Sequence, residues 1–197
     1  RRVVAAAPLI SLLAAHPEMR MKLDARAGWT AATIEALAAT ERVEVIDLKG
    51  TAPGSSVHEP PDAGRYRRLA RAFPDALFED PVPELADLLP RIAWDEPVHG
   101  ADDLERLPPP DAVNVKPCRI GSLAGTLRLV EDCRSRGIAL YAGGHTEIGP
   151  GRGQAQLVAS LLYPDGPNDL APCPLAPSPL EPPPSLSGFR WESTGTG

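Results

Sequence analysis

Six short apolar runs in this 197-residue chain end on, or pass straight into, a charged residue before a turn. They are MKLDARAG (21–28), VEVIDLKG (43–50), ALFEDP (76–81), RIAWDEP (91–97), AVNVKP (112–117) and IALYAGGHTE (138–147). A strand covered on both faces reads as a near-continuous apolar run, the mark of a buried parallel sheet. A charge at the same end of strand after strand gathers polar groups around one mouth, as a (β/α) barrel does. The residues so placed are Asp24, Asp47, Glu79, Asp95, Lys116 and Glu147.

Helical patterns fill the gaps, so parallel β/α units are expected. Thr30 can cap a helix carrying Ile34, Leu37 and Ala38, and Asp62 one carrying Tyr66, Leu69, Ala70 and Phe73. Only short helical turns fit 83–90 and 101–107. Ser122 and Gly137 bracket a helix over 122–136 with Leu123, Leu127 and Val130 as its stripe. A last helix is expected at 153–162, with Leu157, Val158, Leu161 and Leu162. The run VVAAAPLISLLAA (3–15) reads as a buried helix; it is too short to span a bilayer, although Arg1-Arg2 before it also fit a leader. About six units result, which makes the fold class α/β, a partial (β/α) TIM-like barrel over 1–171. From 172 to 197 prolines crowd the chain, and an extended or disordered tail is expected.

Composition excludes several roles. A net charge of −6 gives no electrostatic support to nucleic-acid binding. Cys118, Cys133 and Cys173 lack metal-ligand spacing, so a reduced, cytoplasmic protein with no membrane partner is expected. Homo-oligomerisation is compatible with the sequence.

Spacing adds chemistry. Asp47 and Glu79 are 32 residues apart, Glu79 and Asp95 16, Asp95 and Lys116 21; a barrel unit takes roughly 20–35 residues, the scale of a βαβ crossover. The four charges therefore fall on successive strands. Carboxylate oxygens suit hard cations such as Mg²⁺. A metal so held can bind a substrate carboxylate and stabilise the enediolate formed when its α-proton leaves. A lysine on the opposite wall can move that proton. His145 beside Glu147 can join the mouth, whereas His99 has no partner in view. Gly143-Gly144 and GPGRG (149–153) can cradle an anion or serve only as turns.

KLDARAGWT, LFEDP, IAWDEP, VNVKPCRIGSL and GGHTEIGPGRGQ, in this order, resemble the barrel of the enolase superfamily, in its muconate-lactonizing and mandelate-racemase-like branch. The resemblance runs over about residues 15–170. It implies a Mg²⁺ (or Mn²⁺) enzyme that abstracts a proton α to a small-molecule carboxylate, as a cycloisomerase, dehydratase or epimerase. With GGHTE counted as the seventh strand, the family's metal carboxylates fall on Asp47, Glu79 and Asp95, and its sixth-strand lysine on Lys116. Its second-strand Lys-x-Lys falls on Lys22-Leu23-Asp24, so Asp24 stands where the second lysine is usual, and the second-strand base is either absent or its role passes to Lys22. A second alignment makes Asp24 the first metal ligand and DLKG an insertion. Lys49, His145 and Glu147 are the expected substrate contacts. The sequence shows no counterpart of the family's capping domain, so weak turnover is expected. A non-catalytic barrel is the alternative. A Schiff-base aldolase using Lys116 would leave the three carboxylates without a task.

Overall fold

The computed structural model describes residues 6–55, 57–145, 147 and 149–170. The tail expected at 172–197 lies outside them. Seven parallel strands form one sheet in sequential order. They are β1 Met21–Asp24, β2 Val43–Asp47, β3 Leu77–Glu79, β4 Ile92–Trp94, β5 Ala112–Val115, β6 Ala139–Gly143 and β7 Asn168–Asp169. The six expected units are present. The two-residue β7 was not anticipated, because Pro167 and Pro172 flank a stretch too short and polar to read as a strand.

Period-two alternation sorts the strands into two faces. Ile46, Phe78, Ile92, Trp94, Val113, Val115 and Ala142 face the helices in the larger core. Val45, Leu77, Ala93, Ala112 and Tyr141 form a second, small cluster on the inner face. Two residues further along the same inner face come Asp47, Glu79, Asp95 and Asn114, followed by Lys116 and Gly143. Apolar side chains thus floor the half-barrel and charged ones line its mouth. The sheet curls far enough for Lys22 of β1 to reach Asp169 of β7, its two outermost strands, at 2.6 Å.

The helices are α1 Ala6–Ala15, α2 Ala31–Ala38, α3 Ala63–Ala72, α4 Pro117–Ile120, α5 Leu123–Ser135 and α6 Gly149–Leu162. Thr30, Asp62 and Ser122 accept from the main-chain N–H three residues on and cap α2, α3 and α5. Short 3₁₀ turns occupy Pro83–Leu88 and Ala101–Glu105. On α1, Leu13 is buried and Leu9 and Ile10 pack on the core, while Leu12 is exposed. Among the described residues no helix is long and apolar enough to cross a membrane.

Two expected stripes hold only in part: Leu123, Val130, Val158 and Leu162 face the core, whereas Leu127 and Leu161 do not. On α5 the buried residues are Thr126, Leu129, Val130 and Cys133, and Leu127 is exposed. The Thr126 hydroxyl is satisfied by Ser122 O at 2.9 Å, so a polar residue faces the sheet at no hydrogen-bond loss. On α6, which begins four residues earlier than expected and absorbs the GPGRG segment, Ala155, Val158 and Ala159 are buried and Leu161 is exposed. Small alanines let that helix lie close to the sheet, Leu162 packs at the edge of the core, and Leu161 turns outward.

Candidate metal centre and active site

The inner face delivers its charges in rows. Asp24, Asp47 and Glu79 are register partners across β1, β2 and β3, and Ala93 continues the row on β4. Asp95 follows β4 and Lys116 follows β5. Asp47 and Glu79 are fully buried, Asp95 and Lys116 nearly so. Gly143 opens the space that Lys116 crosses: a Cβ there would lie 1.7 Å from Asn114 Oδ1 and 2.8 Å from Lys116 Cε.

Glu79 sits at the centre. Lys22 Nζ donates to its Oε1 at 2.5 Å, and Tyr141 Oη and Asn114 Nδ2 donate to Oε2. Lys22 also reaches Asp169 at 2.6 Å and Asp47 at 3.5 Å, so Asp47 and Glu79 share one counter-charge. Burial works against the charge on Lys22, but Glu79, Asp47 and Asp169 outweigh it and hold its pKa above the ordinary value. Burial, with Asp47 and Asp95 adding repulsion, pushes the Glu79 carboxyl well above the carboxylate range despite Lys22. Tyr141, buried against Glu79, is likewise raised and keeps its proton to donate.

Asp95 is held differently. Lys116 Nζ lies 2.7 Å from Oδ2, and Arg119 lies 2.8 Å from Oδ1 and also bonds its carbonyl. Burial opposes ionisation, but Lys116 and Arg119 prevail and lower its pKa. Beside it lies Asp80, whose oxygens accept the N–H groups of Asp95 at 2.8 Å and Glu96 at 3.0 Å. Among the described residues Asp80 forms no ion pair. Burial and the charges of Asp95 and Asp47 push it up to about 7. Glu96, the residue after Asp95, is only half-buried.

Carboxylate oxygens of Glu79, Asp80 and Asp95 all lie within 4.8 Å of one another. Oxygens around one Mg²⁺ or Ca²⁺ ion, bound at ~2.0–2.6 Å, stand no more than about 5 Å apart. The grouping therefore fits a hard divalent cation in donor type and spacing. Asp47 lies outside that tightest grouping and is tied to Lys22 and Lys49.

The remaining expected residues line the rim. Lys49 bonds Asp47 through its N–H at 3.0 Å and through Nζ. Burial opposes its charge, and Asp47 and Asp24 raise its pKa. Asp24 is half-exposed and pairs with Arg26 at 3.3 Å and Lys49 at 3.5 Å. The exposed His145 has its pKa lowered by partial burial, Arg119 and Lys116, and its N–H bonds Glu147 at 2.9 Å. Burial opposes ionisation of Glu147, and hydrogen bonds from Cys118 and His145 lower its pKa. His99 is exposed, with its N–H on Asp103.

Sequence reasoning missed Asp80, Asn114, Arg119, Tyr141 and Asp169. Period two from Lys116 and Gly143 would have placed Asn114 and Tyr141 on the inner face. One helical turn after Lys116 would have found Arg119. Asp169 carried no signal. The order of strands also bears on the two alignments. VEVID, which leads into DLKG, is a full strand, parallel-paired to both β1 and β3. With β6 counted seventh, β1 to β7 occupy places two to eight.

Residues 3–175 match the family model described as "Domain of unknown function (DUF8230) C-terminal domain". The chain is 30% identical over 155 residues to an o-succinylbenzoate synthase of Pectobacterium atrosepticum, spanning 78% of this chain and 42% of that protein. A probable mandelate racemase from Alicyclobacillus acidocaldarius has a TM-score of 0.68 at 28% identity, over 87% of this chain and 48% of that one. A member of the enolase superfamily from Listeria innocua has a TM-score of 0.65 at 19% identity, over 86% and 48%. The chain thus spans about half the length of the relatives it matches. It belongs to the DUF8230 C-terminal domain family, and its half-barrel shares its fold with these mandelate-racemase and enolase-superfamily structures.

Proposed function

We propose that this barrel is a metal-dependent enzyme centre that abstracts a proton α to a carboxylate, of cycloisomerase, dehydratase or epimerase type. The observation that carries the reading is the convergence of buried carboxylates from successive strand ends on one mouth, with Lys116 on the same wall as Asp95. Asp47, Glu79 and Asp95, with Asp80 beside them, would hold Mg²⁺ or Mn²⁺. A divalent cation there would draw electron density from a substrate carboxylate and acidify its α-hydrogen.

The chain's own groups do the rest. Lys116, released from Asp95, takes or returns the α-proton at Nζ, and Lys22 is placed to do so from the β1 side. Asp24 orients Lys49. Lys49, His145 and Glu147 meet the substrate's polar groups at the rim. Arg119 keeps Asp95 ionised and fixed. The ligand is a small-molecule carboxylate; no nucleic acid or membrane is involved, and the protein works in the cytoplasm.

The test is α-deuteration. The chain is incubated with Mg²⁺ or Mn²⁺ and a panel of carboxylic acids in D₂O, and mass spectrometry reads the product. Slow, metal-dependent deuteration that Lys116→Met abolishes is the expected result. Metal binding without deuteration of any acid would favour a second reading, a non-catalytic barrel. That reading draws on the cations already engaging Asp47, Glu79 and Asp95.

A further inference from the structure

Lys49, two residues beyond the end of β2, has a left-handed backbone with φ 53°. A lysine stays in that region only where its surroundings hold it. Its N–H is tied to Asp47 Oδ1 at 3.0 Å. Its carbonyl accepts from the Glu59 N–H at 3.1 Å and faces His58 Nδ1 at 3.1 Å. Glu59 is itself fixed by Arg26 at 3.1 Å, Arg65 at 3.3 Å and the Ala27 N–H at 2.9 Å. Gly50 pins the other side: its N–H donates to Asp80 O at 2.9 Å, and a Cβ there would lie 2.8 Å from Val82 N.

This turn aims the ammonium at Asp47 Oδ2, with Asp24 at 3.5 Å behind it. Both oxygens of one buried carboxylate are therefore engaged by a single residue. The two lysines on Asp47 differ in freedom. Lys22 is wedged between Glu79 and Asp169. Lys49 is 20% exposed at the mouth and has water to withdraw into.

We propose that Lys49 is a built-in counter-ion that competes with a divalent cation for Asp47 and thereby sets the metal affinity of the centre. The inference rests on the metal-site reading above. A cation takes Asp47 only by displacing a charge-assisted bond between oppositely charged groups. Removing the ammonium while keeping the length of the side chain should tighten metal binding, because Asp47 is freed and a like charge beside the cation is lost.

Titration calorimetry with Mn²⁺ on the full chain, on Lys49→Met and on Lys49→Arg tests this, with circular dichroism to check folding. Binding at least tenfold tighter in Lys49→Met, and within threefold of the parent in Lys49→Arg, is expected. Equal or weaker binding in Lys49→Met overturns the proposal. A merely structural lysine would lower the melting temperature in both variants without tightening either. Should Lys49→Met fail to fold, Lys49→Gln carries the same expectation. Absence of Mn²⁺ binding in all folded variants would fell the metal reading itself, whereas binding unaffected by Lys49→Met fells only this inference.

Discussion

The two sides of the mouth hold their acids in opposite ways. On the β4–β5 side, Asp95 is clamped by Lys116 and Arg119 in nearly dry surroundings, and its pKa is lowered. On the β1–β3 side, Lys22 is shared among Asp47, Glu79 and Asp169, and Glu79 is raised. Asp80 lies against Asp95, receives only main-chain donors and is raised to about 7. One side is thus a closed ion pair. The other carries more negative charge than its lysines neutralise, which is the condition under which a buried site gains from a divalent cation.

The largest expected effect breaks the closed side. Asp95→Asn leaves Lys116 and Arg119 buried without their counter-charge. A loss of about 3–5 kcal/mol is expected, as for one-sided removal of a buried ion-pair partner. Denaturant unfolding measures it; a loss under ~1 kcal/mol would show that solvent screens this pair.

Gly143→Ala comes next. Its methyl would press on Asn114 and Lys116 together. About 1–3 kcal/mol should be lost to overpacking, a fall of roughly 2–12 °C in melting temperature for a domain of this size. An unchanged melting temperature would mean that the inner face has room the geometry denies.

The pH dependence separates the two carboxylates. Asp80 titrates near 7 in the folded chain and near 4 unfolded. Between those values the native state binds more protons, so its contribution to stability is full below about pH 4 and is lost as pH rises through 7. Asp95, with its folded pKa depressed, contributes above the unfolded value and loses that contribution as pH falls through the folded one. In metal-free buffer, Asp80→Asn should therefore flatten the decline between about pH 5 and 8, and Mn²⁺ should flatten it in the parent chain. Parallel stability curves for parent and variant would contradict the assignment to Asp80.

The frame of this site was legible in the chain. Asp47, Glu79, Asp95 and Lys116 stand out because each ends a run that burial on both faces makes apolar. The flaws have physical causes. Leu127 and Leu161 were counted in the helix stripes but are exposed, whereas Thr126, Leu129, Ala155 and Ala159, beside the expected Val130 and Val158, are buried against the core. Asp169 could not be read, since a two-residue strand between prolines has no pattern and owes its place to pairing with β6. Asp80 was hidden by adjacency: in Glu79-Asp80 the next residue of a strand should face away, but a left-handed backbone at Asp80, φ 49°, turns it back to Asp95.

The most direct measurement is anomalous diffraction from crystals of the chain grown with Mn²⁺. A single strong peak bounded by the carboxylates of Asp47, Glu79 and Asp95, within ~2.0–2.6 Å of their oxygens and with Lys49 swung away from Asp47, is the predicted result. No peak at the mouth, with Lys22, Lys49 and Lys116 still on their carboxylates at saturating Mn²⁺, would show that this barrel neutralises its acids internally and holds no metal centre.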